Sequence, residues 1–74
     1  MQLTNKIPEV VKNKNISLTT LHYKASPLSW PTVQKLSSQD NALRFIPDST
    51  EILTLVLLAQ ALDCEVTDLF AVEV

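Results

Sequence analysis

His22 and Cys64 are the only histidine and cysteine in this 74-residue chain, so they are its obvious candidates for proton transfer and thiol chemistry. They do not amount to a catalytic set. No nucleophile, base and orienting group recur at a spacing that would assemble them. One histidine and one cysteine also fall short of a tetrahedral zinc site. Glycine is absent, and phosphate-cradling loops and dinucleotide fingerprints need it where the backbone approaches the ligand. The expectation is therefore no enzyme, no metal and no cofactor. His22 reads as a partly buried residue making one hydrogen bond, and Cys64 as a small core residue.

Binding chemistry remains. Ser29, Thr32, Gln34 and Lys35 fall within one short segment, and they are the types a helix presents to base edges in a DNA major groove. Lys6, Lys14 and Lys24 are candidate phosphate contacts. The net charge of −2 is unevenly spread. Residues 1–35 carry Lys6, Lys12, Lys14, Lys24 and Lys35 against Glu9, a balance of +4. Residues 36–74 carry Arg44 against Asp40, Asp48, Glu51, Asp63, Glu65, Asp68 and Glu73, a balance of −6. Asymmetry of this kind hints at a nucleic-acid face on the basic half. Trp30 is the only tryptophan. At a helix start it can touch DNA, anchor a protein partner or fold over Leu28, and tryptophan is enriched at interface hot spots.

Helical elements have to position these residues. Asn5 or Thr4 can cap a first helix, about 5–14, with Pro8 in its first turn. Ile7, Val10 and Val11 then face one side, and Asn15 is the residue best able to end the helix in a left-handed conformation. Ser17 caps a second helix over 18–24, with Leu18 and Leu21 inward. Ser26-Pro27 breaks it, because the residue before proline avoids helical geometry. A third helix follows over 30–37, capped by Ser29 or Trp30, with Val33 and Leu36 inward. Residues 37–48 form a long loop whose Leu43, Phe45 and Ile46 should tuck under it. Asp48 or Ser49 caps a fourth helix over 49–62, and 67–70 is a short fifth. The tail 71–74 can be extended, and any strand pairing would be minor and terminal.

The chain thus reads as one all-α domain of five helices, with a thin core for its length. It has no secretory signal pattern. Its most apolar stretch, Ile52 to Leu62, is eleven residues, well short of the roughly 18 a bilayer crossing requires. A cytoplasmic protein without membrane partners is expected, and a single thiol suits a reducing compartment.

Two stretches resemble the Cro and phage-repressor helix-turn-helix family. Ser29-Trp30-Pro31-Thr32-Val33-Gln34-Lys35-Leu36 is similar to that family's recognition helix, with a Ser/Thr cap, an Ile/Val four residues on and a Leu three beyond. Leu58-Ala59-Gln60-Ala61-Leu62, followed by Asp68-Leu69-Phe70, is similar to its closing pattern. The resemblance spans about residues 6–70. It implies a compact five-helix domain, with its helix-turn-helix at about 17–37, acting as a bacterial or phage repressor on double-stranded DNA. It also implies DNA contacts by Ser29, Trp30, Pro31, Thr32, Gln34 and Lys35, supported by Ser17, Thr19, Lys14 and Lys24. Departures are present: Ser26 and Pro27 occupy a turn that usually carries glycine, and Trp30 and Pro31 fall at base-reading positions. Proline donates no hydrogen bond and tryptophan only one, which leaves apolar contact with a thymine methyl.

The fourth helix carries two apolar stripes. Ile52, Leu55, Leu58 or Ala59, and Leu62 form the expected core side. Leu53, Val56 and Leu57, closed by Gln60, form a second stripe at spacings of three and four. A helix apolar all round must be covered all round. The stripe is expected to be a homodimer interface, unless the 37–48 loop covers it through Leu43 and Phe45. The competing expectation is a protein-interaction module on the same scaffold, antitoxin-like or anti-regulator, gripping its partner through Trp30 and the Leu53/Val56/Leu57 stripe.

Overall fold

A computed structural model describes residues 2–40 and 42–73, without the side chain of Glu73. Asn41, in the long loop, and Val74, at the end of the tail, lie outside the described residues.

The helices begin and end where local chemistry directs. The first, α1 (Ile7–Lys14), has Pro8 in its first turn and ends at Asn15, whose φ of 55° and ψ of 45° are left-handed. The Asn15 and Ile16 amides donate to the Lys12 and Val11 carbonyls, which closes the helix end. The second, α2 (Leu18–Lys24), is capped by Ser17, whose hydroxyl accepts from the Thr20 amide. Ser26-Pro27, a cis peptide, stands in the turn to α3 (Trp30–Ser37). Ser29 is the cap of α3, which makes Trp30 its first helical residue. After the long loop comes α4 (Ile52–Ala61). It ends near Asp63, the second left-handed residue at φ 55°. In a chain without glycine, Asn and Asp take the left-handed positions, because a short polar side chain tolerates them best.

The all-α, five-helix expectation is overturned. Four α-helices are joined by a two-stranded antiparallel sheet, β1 (Gln2–Asn5) with β2 (Phe70–Glu73). The register pairs Gln2 with Glu73 and Asn5 with Phe70. The expected fifth helix is one 3-10 turn, Val66–Leu69, after which Phe70 enters the strand. Asn5 is the last residue of β1, and the cap of α1 is Lys6. The reason is non-local. The amides and carbonyls at the two ends of the described chain have no helix to satisfy them, and the fold brings them side by side. On the other edge of β1, the long loop is stitched on by the Asn5 amide to the Arg44 carbonyl (2.8 Å) and the Ile46 amide to the Leu3 carbonyl (2.8 Å).

The core draws on nearly every element. Ile7 and Val11 come from α1, Leu21 from α2, Val33 and Leu36 from α3, and Leu55, Leu58, Ala59 and Ala61 from α4. Ala25, Ile46, Leu62 and Leu69 complete it from turns and loop, and Leu43 packs against it. The loop residues Leu43 and Ile46 therefore tuck in as expected, whereas Phe45 is half-buried outside the core, with the Arg44 guanidinium over its ring. The fourth helix differs from expectation at its start. Helix begins at Ile52 rather than 49, and Ser49 lies in the turn before it. Ile52, expected in the core, is 70% exposed. Its helical phase matches Leu55, but it occupies the first turn, beyond the reach of the packed helices. No helix among the described residues is long and apolar enough to cross a membrane.

Candidate nucleic-acid interface

α3 is held by its buried face and leaves the opposite one open. Val33, Leu36 and Ser37 are buried, while Pro31, Gln34 and Lys35 are exposed. Spacings of three and four put Pro31, Gln34, Lys35 and Ser38 on one stripe. The structure gathers these four around one shallow concavity, closed by Asp40 and Leu43 from the loop. Lys35 also lines a second groove, between α3 and the start of α4, with Thr32, Ser49, Thr50, Glu51 and Thr54. The one cation of α3 thus sits between two carboxylates, Asp40 on one side and Glu51 on the other. Glu51 caps α4 without a side-chain hydrogen bond to the helix, so its carboxylate is not held at the helix end.

The other expected contacts are placed more variously. Ser29 is exposed, and its hydroxyl lies 2.9 Å from that of Thr32, so each engages the other. Trp30 is 38% exposed and meets the His22 ring edge-on, with centroids 5.6 Å apart and planes at 77°. That contact ties the start of α3 to α2. The Ser17 hydroxyl is spent on its cap, donating to the Thr20 hydroxyl at 2.9 Å. Thr19 and Lys24 are exposed on α2, around a separate concavity shared with His22, Tyr23 and Ser26.

Lys14 is not brought to this face. It lines a groove between α1 and the turn after α4, with Asp63, Cys64, Glu65 and Asp68. Its Nζ donates to the Asp63 carbonyl at 3.4 Å. Glu9 and Lys6 line the same groove, so a phosphate there would meet four carboxylates against two lysines. In the same groove, burial pushes the Cys64 thiol above its ordinary pKa, Asp68, Asp63 and Glu65 add to the rise, and Lys14 opposes it. Cys64 is half-buried rather than a core residue.

The second stripe of α4 stays open. Leu53 is 58% exposed, Val56 and Leu57 are half-buried, and Gln60 is exposed. The loop does not cover Leu53, because its residues 44–46 are paired along β1. Ile52 widens the apolar area at the helix start.

Two residues that shape the surface, Asp40 and Tyr23, have no site role in the sequence reading, and Ile52 has the opposite one, on the core side of the fourth helix. Asp40 enters the sequence reading only through the charge balance. Tyr23 is 83% exposed on α2. A correct start for α4 would have flagged Ile52, since first-turn residues often project beyond the core. No family model, curated protein or solved structure matches the chain.

Proposed function

We propose that this chain is a transcriptional regulator that binds double-stranded DNA by laying α3 in the major groove, and that it works as a homodimer in the cytoplasm. The observation that carries this reading is the outward stripe Pro31, Gln34 and Lys35, clear of the core while Val33 and Leu36 lock the opposite face. Glutamine is suited to adenine N6 and N7, lysine to guanine O6 and N7, and the proline ring to a thymine methyl. The short turn from α2 sets α3 against a second helix, as a major-groove reader requires. Lys24 and the exposed Thr19 are the supporting contacts on α2. Lys14, which shares its groove with four carboxylates, is dropped from the set. No catalytic step belongs to this function.

The test is selection from a random duplex library at near-physiological salt, with wild type and Lys35→Ala. Wild type is expected to enrich a motif. Lys35→Ala should lose about 1–3 kcal/mol on that motif and relax one position. Binding should weaken with salt, as neutralised phosphates release counterions, but with a shallow slope, since Asp40 and Glu51 flank the one lysine of α3. A library from which wild type enriches nothing refutes the reading.

A second copy is the proposed occupant of the α4 stripe. The helix carries no charge from Ile52 to Leu62, so two copies can pair across it without placing like charges together. The stripe 53, 56, 57, 60 maps onto itself about its own centre, as a twofold interface demands. Leu53→Lys is expected to shift the chain from dimer to monomer in equilibrium sedimentation. Because Leu53 is exposed, helix content should be unchanged. A wild type that stays monomeric at hundreds of micromolar sinks the dimer.

A protein-interaction module is the second reading, favoured by the same open apolar area together with exposed Tyr23 and Trp30. Its mark would be a partner lost on Trp30→Ala, by about 2 kcal/mol or more, with no duplex enriched.

A further inference from the structure

The cation of α3 does not stand alone on its stripe: Asp40 closes the same concavity as Pro31, Gln34 and Lys35. The placement is built. Ser38, which ends α3, donates its hydroxyl to the Asp40 carbonyl at 2.8 Å and accepts from the Asp40 amide at 3.2 Å. This pair of hydrogen bonds to the backbone clamps Asp40 to the helix end and leaves its carboxylate out of the clamp. From the other side, Asn5 Nδ2 donates to the Leu36 and Leu43 carbonyls, each at 3.1 Å, which fixes the wall of the concavity. A carboxylate held beside a DNA-reading lysine lowers affinity for every phosphate backbone. It contributes nothing to the binding strength of such a surface unless it reads a base.

We infer that Asp40 is a specificity-determining acceptor, which with Lys35 forms a donor–acceptor pair that reads one G·C base pair; this rests on α3 lying in the major groove. In that groove guanine shows two adjacent acceptors, N7 and O6, with the cytosine N4 amino donor beside them. An ammonium that spans the two acceptors, flanked by a carboxylate that takes the N4–H, matches this order. An A·T pair sets its donor between two acceptors and ends in a methyl group, so the same pair of side chains leaves one partner mismatched. Lysine alone would accept a phosphate anywhere. Asp40 converts it into a reader.

The experiment repeats the library selection with wild type, Asp40→Ala and Asp40→Asn. It adds wild-type binding to the selected site with N4-methylcytosine at the pair read by Lys35. Wild type should enrich an invariant G·C pair at the position that Lys35→Ala relaxes. Asp40→Ala should accept other pairs there with discrimination reduced about tenfold, while unrelated duplexes bind more tightly. Asp40→Asn keeps an acceptor and should retain the preference. The methylated base should weaken wild type about tenfold and leave Asp40→Ala unaffected. Asp40 is exposed and the clamp uses only its backbone, so both variants keep the fold; the modified base tests the contact without altering the protein. Unchanged G·C stringency in Asp40→Ala, or indifference of wild type to N4-methylcytosine, overturns the inference and leaves DNA binding standing. Failure of wild type to enrich any duplex removes DNA binding itself.

Discussion

Leu58→Ala should lower the unfolding free energy by about 2–5 kcal/mol, the range for truncating a buried leucine. Leu58 is fully buried in α4, the helix that supplies four core residues. The loss has two parts: methyl groups returned to water, and a void whose walls forfeit their dispersion contacts. A domain of this size is expected to hold only roughly 4–11 kcal/mol in total. The variant should therefore unfold at far lower urea than wild type, with a partly unfolded population at 37 °C. Leu53→Ala, at an exposed position on the same helix, should cost under about 1 kcal/mol because little area leaves the core. Urea unfolding followed by circular dichroism separates the two. Equal midpoints would mean that α4 is not packed as described.

Asn5 should prove nearly as sensitive, for a different reason. Its side chain makes three bonds: Nδ2 donates to the Leu36 and Leu43 carbonyls, and Oδ1 accepts from the Ile7 amide at 3.1 Å. One residue at the end of β1 thus joins the last turn of α3, the long loop and the start of α1. Asn5→Ala strands three part-buried groups, at about 1–3 kcal/mol for each left without a partner. Even with water satisfying some of them, a total loss of about 2–4 kcal/mol is expected. Asn5→Asp should be at least as damaging at neutral pH, since a carboxylate would face two carbonyl oxygens that need donors. The sign of its pH dependence follows. The introduced carboxyl is favoured in its neutral form by this site, so its folded pKa lies above the unfolded value of about 3.9. The penalty is small below that value and grows as pH rises through the folded pKa. Relative to wild type, Asn5→Asp should therefore recover stability in acid. Unfolding curves at pH 3 and pH 7 check this, and a deficit that is the same at both would refute the bonding described. The proposed DNA binding should suffer with stability, because the same two bonds shape the wall that Asp40 and Lys35 line.

These two positions mark the division between what local chemistry dictates and what the assembled fold decides. Most helix limits were legible from the residues alone. Ser17 caps α2 through its hydroxyl, Ser29 holds the cap position of α3 without a side-chain bond to a helix amide, Asn15 closes α1 in the left-handed region, and α2 and α3 span the residues that turn chemistry bounded. Each of these depends on bonds within one turn, so neighbouring residues carry the whole instruction. The inward positions Leu21, Val33, Leu36, Leu55 and Leu58 followed from helical period for the same reason. The outward stripe of α3 was legible only in part: Pro31, Gln34 and Lys35 are exposed on it, whereas Thr32, expected beside them, is half-buried and lines the groove toward α4.

The sheet was not. β1 and β2 are four residues each, too short for a period to show, and their partners lie at opposite ends of the chain. Only the packing of the helices brings those ends together. Asn5 looked like a cap to its own helix because the carbonyls it serves, Leu36 and Leu43, are more than thirty residues away. Ile52 was placed in the core because period assigns a direction around a helix but not how far along it the neighbours extend. Lys14 looked like part of a basic face because a charge count has no geometry; the fold sets it among Asp63, Glu65 and Asp68. Asp40 shows the converse, as an unremarkable loop carboxylate that the Ser38 clamp carries to the stripe of α3. Helix ends and faces are written in contacts of four residues or fewer, whereas strand partners, helix-end exposure and the companions of a charged side chain depend on which distant segments the core draws together.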